Sequence, residues 1–208
     1  MRRFAIDLET LGTAADSAIL SIGCVEFDET GPTAGFYAPI HLETCLAAGL
    51  RMYPSTVLWW MNQSNEARAK VQRCANADDS HPLGTVLVQL SRFIVGEDRY
   101  QGWNGEPLDD VEVWGNGADF DNAILQTAYR YCGLTPPWRF WNNRDLRTIR
   151  LATELATGLP APKVLPEIAH DAYADATAQA KTIAECLKLL RLRHPCETPA
   201  PEVNTHET

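Results

Sequence analysis

The stretch Arg3-Phe4-Ala5-Ile6-Asp7-Leu8-Glu9-Thr10-Leu11-Gly12 decides how this chain is read. Arg3 to Leu8 has the apolar, β-compatible content of a short strand, and Glu9 to Gly12 reads as the loop it enters. On a strand, residues i and i+2 share a face, so Asp7 and Glu9 project together while Leu8 points the other way. Two carboxylates about 4 Å apart repel by about 4 kcal/mol at an effective dielectric of about 20. A site that tolerates such repulsion usually binds a cation or shares a proton. The pattern is not specific alone. Asp110-Val111-Glu112 repeats it, and there the reading is a solvated strand start after a polar loop.

Working outward, Ala18 to Phe27 and Gly35 to Ile40 read as two further strands, separated by the turn cluster Asp28-Glu29-Thr30-Gly31-Pro32. Ser55 to Cys74 is helical in pattern, and Leu83 to Ile94 is an amphipathic helix. A loop from Gly96 to Asp110 leads to a strand at Val111–Trp114 and a helix at Phe120–Cys132. Arg139 to Trp141 is expected as a fifth, short strand, followed by a helix from about Asp145 to Leu155 and a loop from Gly158 to Pro166. The last helix is expected over Asp171–Leu192. Three leading strands followed by alternating helices and strands predict an α/β domain, a mixed five-stranded sheet flanked by helices. Residues 1–194 are expected to form this domain, and the polar, proline-punctuated residues 195–208 a disordered tail.

Composition narrows the class. The chain has 208 residues, 45% of them apolar and 22% charged, which describes an ordinary globular protein. No apolar run approaches the about 18 residues of a membrane span, so no membrane partner is expected. The start lacks the h-region of a signal peptide. Six cysteines (Cys24, Cys45, Cys74, Cys132, Cys186 and Cys196) are scattered singly, which favours reduced thiols in a cytoplasmic protein over a zinc knuckle or disulfide framework. The net charge of −9 argues against tight, sequence-independent duplex binding, which needs a basic footprint. It leaves room for an enzyme that grips a few nucleotides at a chain end, because bound cations supply local positive charge.

Two more segments carry chemistry. Asn116-Gly117-Ala118-Asp119-Phe120-Asp121 directly follows the strand ending at Trp114, and ligands in open α/β sheets bind at such strand-to-helix crossings. Asp119 reads best as an N-cap of the following helix. For Asp121, capping and ligand binding stand open. In His170-Asp171-Ala172-Tyr173-Ala174-Asp175-Ala176, an N-cap at Asp171 makes His170 N′ and Asp175 N4, positions that become spatial neighbours. That sets a candidate general base beside a candidate metal ligand. Four carboxylates and one histidine make a hard, oxygen-rich site suited to Mg²⁺ or Mn²⁺. Two such cations about 3.5–4 Å apart can activate water and stabilise the leaving oxygen in phosphodiester hydrolysis.

With these motifs in order, the chain resembles the DEDDh 3′→5′ exonucleases, whose fold is ribonuclease H-like. Asp7-Leu8-Glu9 matches their first motif, Asn116-x-x-x-Phe120-Asp121 the second and His170-x-x-x-x-Asp175 the third. Further features resemble the phage and bacterial branch of that superfamily: Ser55-Thr56-Val57-x-Trp59-Trp60, Gln63-Ser64-x-Glu66-Ala67-Arg68 and Arg144-Asp145-x-Arg147-Thr148. The resemblance covers about residues 3 to 190. It implies that Asp7, Glu9, Asp121 and Asp175 ligate two Mg²⁺ or Mn²⁺ ions, with His170 as general base. It also implies that Thr10, Leu11, Asn116 and Phe120 contact substrate, the 3′ end of single-stranded DNA or RNA. One departure is Gly115, where many relatives carry histidine. A homodimer is compatible with the resemblance, since other superfamily members dimerise. The rival readings are a nucleic-acid-binding module with a dead site and a proofreading subunit of a polymerase. Of the adjacent Trp59 and Trp60, about 100° apart on a helix, one is expected in the core and one is available for base stacking. Arg139, Arg144, Arg147 and Arg150 form the main basic cluster, open to phosphate contact or to acidic partners.

Overall fold

A computed structural model describes residues 1–168 and 170–193. The expected tail at 195–208, and Cys196 with it, lie outside the described residues. Five strands form one mixed sheet in the order β3-β2-β1-β4-β5. They are β1 (Arg2–Thr10), β2 (Ile19–Asp28), β3 (Gly31–Pro39), β4 (Val111–Gly115) and β5 (Asn143–Asp145). The first three pair antiparallel, and β4 and β5 add parallel to β1. This is the expected α/β, ribonuclease H-like arrangement.

The helices are α1 (Leu42–Ala48), α2 (Pro54–Met61), α3 (Asn65–Arg73), α4 (Leu83–Val95), α5 (Glu97–Tyr100), α6 (Asp121–Tyr131), α7 (Leu146–Thr157) and α8 (Ala172–Arg193). They split between the sheet faces because the strands alternate. Phe4, Ile6 and Leu8 of β1 join the larger core with Cys45 of α1, Leu83, Leu87 and Leu90 of α4, and Ile124 and Leu125 of α6. Ala5 faces the other way, with Trp114, Leu146 of α7 and Ala176, Ala180 and Ile183 of α8. No helix among the described residues is long and apolar enough to cross a membrane.

Several local expectations are corrected. The helical pattern from Ser55 to Cys74 is two helices, because Asn62 ends α2 and the Ser64 hydroxyl caps α3 by accepting from Ala67 N at 3.2 Å. The fifth strand lies at Asn143–Asp145, and the segment read as strand holds a 3₁₀ turn at Phe140–Asn142. The Gly96–Asp110 loop includes the short α5. Asp119 is exposed and does not cap α6, which starts from Phe120 without a side-chain cap. Glu112 is no solvated residue: it pairs with Arg3 at 3.2 Å and with Arg144 at 3.0 Å.

Candidate active site

Asp7 and Glu9 follow Ala5 onto the face of β1 covered by α8. The strand runs two residues further than its sequence implies, to Thr10, with a register irregularity between Glu9 and Thr10. Its end is anchored from α2, where Trp60 Nε1 donates to the Thr10 carbonyl at 2.8 Å.

What brings Asp175 to these two carboxylates is the closeness of α8 to the sheet. Ala172, Ala176, Ala180 and Ala184 recur every fourth residue and are buried, so the helix presents a stripe of methyl groups. The strands match it with glycines. A Cβ at Gly23 would lie 2.0 Å from the Ala172 carbonyl oxygen, and one at Gly35 2.4 Å from the Tyr173 ring. The helix start is fixed reciprocally. Asp171 Oδ1 accepts from Ala174 N at 3.0 Å, and Asp175 Oδ2 accepts from Asp171 N at 3.2 Å. Asp171 is therefore the N-cap, and the spacing read from the sequence places His170 and Asp175 as expected.

Carboxylate oxygens of Asp7, Glu9 and Asp175 all lie within 4.8 Å of one another. Asp121 stands beside this trio, outside that close group. Its Oδ1 accepts from Leu8 N and its Oδ2 from Asn116 N, each at 3.2 Å, so the buried carboxylate ties the first motif to the second. Gly115 makes room for it, since a Cβ there would lie 2.6 Å from Asn122 Oδ1 and 3.0 Å from Asp121 Oδ2. This crowding gives the departure at Gly115 a physical reason.

The four carboxyls all titrate above their ordinary range. Burial, reinforced by the charges of Asp121, Glu9 and Asp175, holds Asp7 well above it, against a hydrogen bond from Gln179. Burial and the Asp175 charge push Glu9 up to about 8, with Lys70 opposing. Burial raises Asp121 to about 7 against its backbone hydrogen bonds. Burial also raises Asp175, opposed by the Asp171 amide and by His170. A folded protein that gathers this much unneutralised acid with oxygen-only donors fits hard divalent cations.

A cleft of about 530 Å³ opens over the carboxylates, lined by Asp7, Glu9 and Asp175, by His170, and by Thr10, Phe120, Trp59 and Trp60. Thr13, Ser55 and Thr56 line it too. Trp60 is 4% exposed and Trp59 43%, so the pair divides between core and cleft surface. The His170 ring sits edge-to-face on both, with centroids 5.1 Å from Trp59 and 6.0 Å from Trp60. Leu11 and Asn116 do not line the cleft. Leu11 is buried and faces an apolar pocket behind Trp60 with Leu42 and Val57, and Asn116 is exposed. Thr10 is buried, its hydroxyl donating to the Gly12 carbonyl at 2.7 Å. Two of the four arginines of the basic cluster are paired, Arg139 with Asp109 and Arg144 with Glu112.

Two residues at the site escaped the sequence reading. Gln179 Nε2 donates to Asp7 Oδ1 at 2.7 Å, and Lys70 Nζ donates to the His170 carbonyl and to Asp171 Oδ2, both at 3.0 Å. Each leaves a trace in the pattern, as a polar residue beside a buried helical stripe: Gln179 next to Ala176 and Ala180, Lys70 between Ala67 and Cys74. Ser55 and Thr56 belong to a motif the sequence had already marked, whereas Thr13 leaves no comparable signal. Of the features that resemble the phage and bacterial branch, Arg144-Asp145-x-Arg147-Thr148 serves in part as scaffolding. Asp145 caps α7 through Thr148 N at 2.7 Å and accepts from Ala118 N at 3.0 Å, bracing the second-motif loop.

The chain and its fold are similar to those of known exonucleases. The chain is similar to the exodeoxyribonuclease of Enterobacteria phage T4, 27% identical over 199 residues, with 83% of each chain covered. Its fold is similar to a zinc-bound form of E. coli exonuclease I in complex with single-stranded DNA (TM-score 0.60, 19% identity, 94% of this chain and 41% of that one). A second exonuclease I structure gives a TM-score of 0.59 at 18% identity, over 93% of this chain and 41% of that one. The chain thus spans about 41% of the length of the exonuclease I molecules it matches, and the likeness is one of fold. The 3′-5′ exoribonuclease Rv2179c-like domain matches residues 2–187. With nearly the whole described chain inside that match, and the acidic motifs in order along it, the chain belongs to the 3′-5′ exoribonuclease Rv2179c-like family of exonucleases.

Proposed function

We propose that this protein hydrolyses nucleoside monophosphates from the 3′ end of single-stranded DNA or RNA, using two divalent cations and a histidine general base. The observation that carries the reading is the convergence of the Asp7, Glu9 and Asp175 oxygens within 4.8 Å at the floor of a cleft that His170 also lines. Asp7, Glu9, Asp121 and Asp175 would hold the ions, Mg²⁺ or Mn²⁺, which when bound supply Lewis-acid polarisation of the phosphodiester and neutralise developing charge.

The chain's own residues do the rest. His170 Nδ1 or Nε2, neutral, takes a proton from the attacking water, and its ring is held for this by the two tryptophans. Asp121, fixed by two backbone amides, keeps the first and second motifs in register so that the carboxylates stay where they are when charge shifts. Trp59 and Phe120 offer apolar surface to the terminal nucleotide. The relatives are named for both sugars, an exoribonuclease family and a phage exodeoxyribonuclease.

The test uses matched single-stranded DNA and RNA oligomers with either end blocked. Release of mononucleotides from 5′-blocked and not from 3′-blocked substrate, abolished by chelator and by His170→Ala, supports the reading. Full activity in excess chelator would sink it, and the ratio of DNA to RNA rates assigns the sugar.

A further inference from the structure

We infer that Lys70 is a positioning residue for the reaction, holding His170 and the start of α8 from behind the cleft; the inference rests on the function proposed above. His170 has φ 56, the only positive φ at a non-glycine position among the described residues. A residue with a Cβ persists in that left-handed region where its neighbours over-determine it. Lys70 is such a neighbour. Its ammonium spends two of its three donors on this one corner, at 3.0 Å to the His170 carbonyl and 3.0 Å to Asp171 Oδ2. Asp171 in turn caps α8 and donates its amide to Asp175. The carbonyl clamp fixes the peptide, the cap fixes the helix, and the edge-to-face contacts with Trp59 and Trp60 fix the ring.

The clamp comes from α3, whose Ala67 and C-cap residue Cys74 are buried against the core and so seat Lys70 on the inner face of that helix. Its side chain is only 19% exposed. It does not line the cleft. It lies in a narrow crevice of about 10 Å³ behind Glu9 and His170, with Tyr37 and Trp60. That location, together with two occupied donors, argues against Lys70 as a phosphate contact and for an action through His170.

The experiment compares Lys70→Met, Lys70→Arg, His170→Ala and the Lys70→Met/His170→Ala double variant on one single-stranded oligonucleotide with saturating Mn²⁺. Lys70→Met is expected to lower kcat about 10- to 100-fold, the scale of a misplaced catalytic group, with KM within about twofold. The Mn²⁺-induced rise in melting temperature should survive, and Lys70→Arg should recover most of kcat. In the His170→Ala background, Lys70→Met should cost less than about twofold, because residues acting as a unit are non-additive. A raised KM with a shallower salt dependence would make Lys70 a phosphate contact and overturn the inference. So would unchanged kcat, or a full additive loss in the double variant. His170→Ala at full rate overturns the base assignment and this inference together, whereas a crippled His170→Ala beside an unimpaired Lys70→Met overturns this inference alone.

Discussion

Gln179 Nε2 donates to Asp7 Oδ1 at 2.7 Å across 172 residues of sequence, while its own Oε1 is buried without a hydrogen-bond partner. One amide of a helix that meets the sheet mainly through apolar side chains is thus committed to orienting a single carboxylate oxygen. Outer-shell partners of this kind set ligand direction and metal affinity. Gln179→Leu, which keeps the volume and removes the donor, is expected to weaken Mg²⁺ affinity about 10- to 100-fold. The check is a Mg²⁺ activation curve beside the Mn²⁺-induced shift in melting temperature. An unchanged curve would leave Gln179 as filler between helix and sheet.

Asp175→Asn is expected to keep the fold and lose at least about 10²-fold of activity, the scale of a lost electrostatic contact in a preorganised site. Its Oδ can still accept from the Asp171 amide, so the helix start survives. Because burial and its surroundings raise the Asp175 pKa, the neutral isostere should also melt no lower than the parent in chelator. Asp171→Asn keeps a good N-cap and is expected to cost less than about tenfold. Single-turnover rates and melting curves on the two variants decide whether Asp175, and not Asp171, is the third-motif ligand.

Without cations, stability should fall as pH rises. Glu9 goes from its ordinary 4.5 to about 8 on folding, and Asp121 from 3.8 to about 7. A group whose folded pKa is raised favours the folded state while protonated, so this contribution is whole below the ordinary value and lost as pH climbs through the folded one. The melting temperature in chelator is therefore expected to decline between about pH 4.5 and 8. Saturating Mg²⁺ or Mn²⁺ neutralises the same charges and should flatten that decline, raising stability most at the alkaline end. A pH-independent melting temperature in chelator would contradict the raised carboxyls.

Gly23→Ala tests how α8 is docked. Its Cβ would lie 2.0 Å from the Ala172 carbonyl oxygen, a backbone atom that can yield only if the helix start moves. Overpacking a close interface typically costs about 1–3 kcal/mol, so the melting temperature should drop by several degrees. Since Ala172 is three residues before Asp175, cation affinity should weaken as well. Loss of stability with unaltered Mn²⁺ binding would separate helix docking from site assembly.

The sequence by itself determined a good part of this. Alternation along β1 put Asp7 and Glu9 on one face, and the spacing around Asp171 put His170 and Asp175 at one helix start, because both are consequences of local backbone geometry. The presence of the three leading strands was legible from residue type, while β3 starts at Gly31, inside the segment read as a turn, and the fifth strand was shifted by a 3₁₀ turn whose residues look strand-like. What only the tertiary structure decided is which distant side chains meet. Gln179 reaches Asp7, Lys70 reaches the carbonyl of His170 a hundred residues away, Asp121 bridges the amides of Leu8 and Asn116, and Leu11 turns from the cleft into an apolar pocket. Each depends on the depth at which α8 settles on Gly23 and Gly35 and on how α2 and α3 fold back over the end of β1. Residue periodicity carries no information about those packing distances, which are set by the volumes of residues far apart in the chain.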